Sequence, residues 1–303
     1  AAILWGVYAS LTAAEIGFLV VGGMSPFDAV CHAFATLSTG GFSTRNGSIG
    51  AYDNAYFDVV ITAFMFLAGA NFSLHFWLLR AGFAQYRRNE EFRLYSWIAI
   101  GATALVALQL LARMGEPPLH ALRLAAFQVT SILTSTGFTT ADYLPWGPGV
   151  QMLLFALMFC GGCAGSTGGG MKVMRIIVLA KHAVREVRKH LHPRAIFNVR
   201  LSGQLVSDDV MMRVLGFFLF FMSIFILAAL GLAAMGVDTV TALGGSIACL
   251  SNIGPGLGAV GPAVSYAGIP ALGKLLLSFE MLVGRLELYT VLVVLSPMFW
   301  RRT

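Results

Sequence analysis

Along the chain, apolar residues run in long blocks separated by brief polar punctuation. Blocks at 2–21, 56–79, 96–112, 151–179, 211–235 and 272–299 reach or approach the roughly 20 apolar residues that cross a bilayer. The pattern predicts six spans, the fourth of them interrupted. Between the members of successive pairs lies a shorter apolar stretch, at 26–37, 118–133 and 239–250, of 12, 16 and 12 residues. These are too short to cross the hydrocarbon and read as re-entrant helices. Each opens on helix-start chemistry: Ser25 before Pro26, Glu116 before Pro117 and Pro118, Asp238 before Thr239.

Every short stretch closes on a similar phrase: Ser38-Thr39-Gly40-Gly41-Phe42, Thr134-Ser135-Thr136-Gly137-Phe138 and Ser251-Asn252-Ile253-Gly254-Pro255. A repeat in equivalent places outweighs any single motif. Non-helical backbone at membrane depth is tolerated only where protein buries it or water bathes it. Backbone carbonyls there can replace the hydration shell of an ion. Glycine permits the dihedrals that aim them, and the C-terminal end of each short helix favours a cation. The expected fold class is all-α integral membrane, with helix–pore-loop–helix repeats around a central pore, like a potassium channel.

Composition supports the membrane reading. Of 303 residues, 57% are hydrophobic and 11% charged, with a mean hydropathy of +0.78. An ordinary soluble domain has about 25% charged residues, so lipid must clothe much of this surface. The net charge of +6 does not point to nucleic acid, because 14 of the 20 Lys and Arg fall at 80–93, at 172–200 and at Arg301 and Arg302. Two crossings separate each of these places from the next, so all lie on one side, the cytoplasmic one. Cys160 and Cys163 form a C-x-x-C at membrane depth with no two further ligands nearby. They read as packing residues rather than a zinc site. No cleavable signal peptide is recognisable, and the chain starts inside an apolar run as a truncated protein would.

The fourth block is interrupted by Gly161, Gly162, Cys163, Ala164, Gly165, Ser166, Thr167, Gly168, Gly169 and Gly170. Each glycine costs about 1 kcal/mol relative to alanine in a helix. The run is either a close-packed, kinked helix or an unwound loop forming a movable barrier. It is no nucleotide P-loop, since Met171 precedes Lys172 and Val173 follows. Ser166 as a nucleophile would need a base in reach. His75 is the nearest candidate by depth, nothing places it close, and no enzyme is expected. In the last block Glu280, Arg285 and Glu287 are charges at membrane depth, usually inward-facing. Either Glu280 neutralises Arg285, or Arg285 repels cations in the pore or holds the glycine loop. Asn71 reads as a helix–helix hydrogen bond rather than an ion ligand. Asp53, Asp58 and Asp142 on the outer side carry little weight.

The runs HAFATLSTGGFSTR (32–45), STGFTTAD (135–142), CGGCAGSTGGGMK (160–172), NIGPGLG (252–258) and SFEMLVGRLELYT (278–290) carry a further signal. Through them the whole chain resembles the Trk/Ktr/HKT superfamily of potassium transporters, and within it the TrkH family. The resemblance implies four helix–pore–helix repeats around one pore, with one filter glycine each. On it Gly40, Gly137 and Gly254 are filter glycines of the second, third and fourth repeats. Ser38, Thr39, Gly41, Ser135, Thr136, Phe138, Asn252, Ile253 and Pro255 complete a filter whose backbone holds potassium ions. The run 161–170 and Arg285 form the gate.

The same resemblance divides the chain into a second repeat (1–80), a cytosolic connection (81–95), a third repeat (96–182), a cytosolic basic arm (183–205) and a fourth repeat (206–303). It implies a multi-pass homodimer in the lipid of the bacterial cytoplasmic (inner) membrane. A cytosolic nucleotide-binding, TrkA-like regulatory ring would dock on the basic arm. Filter glycines 97 and 117 residues apart suggest about 100 or more further N-terminal residues in the natural protein, carrying the absent first repeat. Gated potassium permeation is favoured over a sodium- or proton-coupled carrier, and over a non-conducting receptor or scaffold.

Overall fold

The short apolar stretches become helices bounded by the residues that their punctuation marks. The computed structural model describes residues 2–195, 197–286 and 288–300; Glu287, Arg301 and Arg302 lie outside the described residues. In chain order come α1 (Ala2–Val21), α2 (Pro26–Leu37), α3 (Ala55–Ala68), α4 (Phe72–Ala81) and α5 (Ala84–Arg88). Then follow α6 (Glu90–Met114), α7 (Pro118–Leu133), α8 (Pro148–Cys160) and α9 (Val173–Leu191). A small antiparallel hairpin, β1 (Arg200–Leu201) with β2 (Gln204–Leu205), leads into α10 (Asp208–Ala234) and α11 (Thr239–Leu250). The chain closes with α12 (Ala271–Arg285), α13 (Leu288–Leu295) and α14 (Pro297–Trp300).

Two of the three short helices start on the side-chain cap the sequence predicts. Ser25 Oγ accepts the Asp28 N–H at 3.2 Å, and Asp238 Oδ1 accepts the Thr241 N–H at 3.0 Å. The Thr241 hydroxyl and amide hold the Asp238 carboxyl below the usual carboxylate range. Glu116 does otherwise: it pairs with His120 Nδ1 at 2.8 Å and leaves α7 without a side-chain cap.

Two of the five spans expected to run unbroken do not. Among the described residues α1, α6 and α10 are long and apolar enough to cross unbroken, while α3 and α4 meet at a 100° bend. The bend has one local cause and one distant one. Asn71 Oδ1 caps α4 by accepting the Ser73 N–H at 2.8 Å, and the Gly69 carbonyl turns out to accept the Cys163 N–H at 2.8 Å. Asn71 is therefore a helix cap, not the interhelical bond expected of it. The interrupted fourth block stops at Cys160, and the last block breaks after Arg285. Each of the three units thus has a broken second crossing, where the sequence marked only one. Helix α6 also begins at Glu90 rather than near 96, because Asn89 Oδ1 caps it by accepting the Phe92 N–H at 2.8 Å.

The core is apolar, as in a water-soluble bundle, but the outer surface is apolar too. The long helices turn Trp97, Leu105, Leu108, Leu227 and Leu230 outward, and these apolar side chains have lipid as their solvent. The short helix α11 lies in the interior: from Thr241 to Leu250 every residue except Leu243 is buried. Each short helix packs on the long helix before it, α2 on α1, α7 on α6 and α11 on α10, and α3 against α7 ties the first unit to the second. Outside this core α9 folds back along its neighbours. Lys181 Nζ bonds Glu90 Oε2 at 2.5 Å and the Arg200 carbonyl at 2.6 Å, and Arg185 Nη1 bonds Asp208 Oδ1 at 2.7 Å. Arg188 and Lys189 remain exposed.

Candidate functional site

One backbone turn is written three times, once at the end of each short helix. The first two N–H groups past the helix close on it: Ser38 on Phe34 O and Thr39 on Thr36 O, Thr134 on Thr130 O and Ser135 on Ile132 O, Ser251 on Ile247 O and Asn252 on Cys249 O. The second residue then adopts a left-handed φ without being glycine: 53° at Thr39, 57° at Ser135 and 56° at Asn252. The next two N–H groups share one helix carbonyl. Gly40 and Gly41 reach Ala35 O at 2.7 and 3.3 Å, Thr136 and Gly137 reach Ser131 O at 2.9 and 3.3 Å, and Ile253 and Gly254 reach Ala248 O at 2.8 and 3.5 Å. A trans peptide points its N–H and C=O in opposite directions. The carbonyls of Thr39 and Gly40, Ser135 and Thr136, and Asn252 and Ile253 therefore face away from their helices.

Counting from the last helical leucine corrects one assignment. Gly137 and Gly254 stand four residues past Leu133 and Leu250, and the residue four past Leu37 is Gly41, not Gly40. Their φ angles agree at 67°, 86° and 97° for Gly41, Gly137 and Gly254. The doubled glycine hid the register, although Phe42 and Phe138 following the glycine would have revealed it.

The turns lean on one another. A Cβ at Gly41 would lie 2.0 Å from Thr136 O, and one at Gly137 would lie 1.8 Å from Ile253 O, so each glycine receives an outward carbonyl of the next turn. A Cβ at Gly254 would meet nothing within 4 Å. A cavity of about 580 Å³ occupies that sector, between the first and third turns, walled by Lys274, Met281 and Arg285 of α12.

Directly under the turns runs the glycine-rich segment between α8 and α9, non-helical as one of its two readings required. Positive φ at Gly161, Gly165, Gly170 and Lys172 breaks the helix. Side chains at Gly168 and Gly169 would meet Thr134 O at 2.6 Å and Ser251 O at 2.2 Å, which are the C-cap carbonyls of α7 and α11. Gly69 O accepts from Cys163, and Gly165 O accepts the Phe72 N–H at 3.2 Å. The Lys172 ammonium donates to Gly168 O, and Ser166 Oγ is 3.5 Å from it.

Of the charges at membrane depth, Arg285 reaches the loop: its Nη1 donates to Thr167 O at 2.8 Å. It borders both the cavity beside the turns and a second one, of about 410 Å³, beneath the loop. Glu280 faces elsewhere, against Ser246 of α11. His75 is held by Leu67 O at 2.9 Å and the Tyr86 hydroxyl at 2.5 Å, so both of its ring nitrogens are engaged away from Ser166. On the outer side Asp58 pairs with Arg123 at 3.3 Å and Asp142 caps the Leu144 N–H at 2.9 Å. Sequence reasoning missed Glu91, whose Oε1 accepts the N–H groups of Ala164 and Met174 at 2.6 and 3.1 Å and anchors both ends of the loop. The only sign was a second acid in the first turn of α6, which reads as solvated.

Comparison with known proteins agrees with this architecture. A family model described as TrkH, cation transport protein, matches residues 2–302. The Trk system potassium uptake protein TrkH of Halomonas elongata is 40% identical over 301 residues, 99% of this chain and 62% of that protein. The protein of the same name from Escherichia coli K12 is 38% identical over 300 residues, again 62% of its length. The crystal structure of the potassium transporter TrkH from Vibrio parahaemolyticus superimposes with a TM-score of 0.92 at 37% identity, covering 98% of this chain and 64% of the other. The chain spans about three fifths of the length of these curated relatives. With a family match over nearly every residue and the same fold in a solved relative, this chain belongs to the TrkH family of cation transport proteins.

Proposed function

We propose that this chain forms the greater part of the ion pathway of a multi-pass bacterial inner-membrane protein for potassium uptake. The observation that carries the reading is the thrice-repeated turn, with its paired N–H groups on one helix carbonyl and its free carbonyls facing outward. Potassium is the cargo: it sheds water and takes backbone oxygen from the turns around Gly41, Gly137 and Gly254. The loop 161–170, pressed against the C-caps of α7 and α11 and tethered by Arg285 and Glu91, is the barrier on the inner side. The open sector beside Gly254 takes a fourth wall in the working protein. Relatives named as parts of a Trk system support a regulated assembly, with a cytosolic nucleotide-binding partner on the exposed face of α9 and a second copy in the membrane.

The test is ion flux in liposomes made with the intact protein, varying potassium, sodium and pH independently. Potassium-selective flux that collapses in G137D supports the reading. Flux coupled stoichiometrically to sodium or protons would make the protein a carrier, and no flux under any gradient would sink both versions.

A further inference from the structure

Glu280 is fully buried in α12, one helical turn before Gly284 and five residues before Arg285. Its Oε1 lies 2.7 Å from Ser246 Oγ of α11, and Oε2 has no hydrogen-bond partner. Ser246 Oγ also lies 3.0 Å from the Phe225 carbonyl of α10. A hydroxyl has one hydrogen to give. The Phe225 carbonyl can only accept, so when Ser246 donates to it, the hydrogen in the 2.7 Å contact must come from Glu280.

Charge points the same way. The ion pairs among the described residues do not include Glu280. An ionised carboxylate would leave a charged oxygen buried without a donor, far costlier than an unpaired neutral carbonyl oxygen. We propose that Glu280 is held as the neutral acid, and that its proton makes it a positioning residue that ties α12 to α11 and so sets where Arg285 meets the glycine loop.

The packing shows how such a tie acts at a distance. One turn further along both helices, a Cβ at Gly284 would lie 1.9 Å from Leu250 O. Helix α12 therefore keeps its register on α11 at two points a turn apart, Glu280 on Ser246 and Gly284 on Leu250. Arg285 follows about 7.5 Å beyond Glu280 at 1.5 Å per residue, and its bond to Thr167 O inherits that register. Losing the upper tie frees α12 to shift and loosens the hold on the loop. The inference rests on the proposed role of that loop as barrier.

The experiment uses the intact protein in liposomes, with basal potassium flux and infrared difference spectra read on the same variants. E280Q keeps a neutral donor to Ser246 and should stay within about twofold of wild type, a difference well under 1 kcal/mol. E280A should raise basal flux by roughly tenfold, equivalent to about 1.4 kcal/mol in the gate equilibrium. The wild-type-minus-E280Q spectrum should show the carbonyl stretch of a protonated carboxylic acid. Should E280A fail to assemble, S246A is expected to raise flux in the same direction, and unchanged flux there overturns the tie. Absence of the acid band, or E280Q as leaky as E280A, overturns the proposal. If even the wild type passes no ions, the transport reading fails while the spectrum still decides the proton.

Discussion

Substituting alanine at Gly41, Gly137 and Gly254 in turn places the same methyl group at three equivalent positions with unequal neighbours. All three backbones lie at positive φ, 67°, 86° and 97°, and an L-residue there costs about 1–2 kcal/mol. At Gly41 and Gly137 the new carbon would also stand 2.0 and 1.8 Å from a backbone oxygen of the next turn. The neighbouring turn must then retreat by more than an ångström, adding an overpacking cost of about 1–3 kcal/mol. G41A and G137A should therefore destabilise by about 2–5 kcal/mol in total, and G254A by about 1–2 kcal/mol. Thermal unfolding in detergent, followed by tryptophan fluorescence, reads the order. Potassium-against-sodium flux reads the geometry, and G41A and G137A should lose selectivity. A wild-type unfolding midpoint and wild-type selectivity in G137A would refute the close approach of the turns. In the intact protein, a G254A as damaging as G137A would show that a carbonyl from a fourth wall fills the sector that stands open beside it.

Removing Gly168–Gly170, or replacing Arg285 by alanine to break its bond to Thr167 O, should raise basal flux; variants that fold normally and leak no more than wild type would count against the barrier. Glu91→Ala leaves the amides of Ala164 and Met174 without their acceptor, at about 1–3 kcal/mol for each group that stays buried. Its thermal midpoint should drop further than that of Glu91→Gln, which keeps an acceptor oxygen; equal midpoints would remove Glu91 as the anchor. Charge reversal at the exposed Arg188 and Lys189 should reduce retention of a cytosolic partner at physiological salt. The same change at Arg185 also breaks its pair with Asp208 and should lower stability as well. A pull-down with undiminished binding in R188E/K189E would take this face out of the interface.

Much of the architecture was readable because membrane proteins state it in local chemistry. Block length separates spanning from re-entrant stretches, and Ser25-Pro26 and Asp238-Thr239 mark helix starts through the need to satisfy the first free N–H groups. The misreadings have different roots. Gly69-Ala70-Asn71 sits in an apolar run that looks continuous, and its bend depends on Cys163, 94 residues later, offering an N–H to Gly69 O. Gly40 and Gly41 are adjacent, so composition cannot say which takes the positive φ facing Thr136 O.

By itself, then, the sequence determined the units: three repeats of long helix, short helix and glycine-bearing turn, a charged side and a glycine-rich break. These follow from hydropathy, capping and helix propensity, which act within a few residues. Only the tertiary structure decided what the charges do. The chain's pattern left open whether Arg285 holds the glycine loop, and nothing in it says that Glu91 clasps both ends of that loop or that Glu280 turns to Ser246 rather than to Arg285. A polar group at membrane depth is stabilised by whatever partner the fold brings within about 3 Å. Which partner that is depends on how helices from different units cross, and such crossings are set by packing summed over the whole protein.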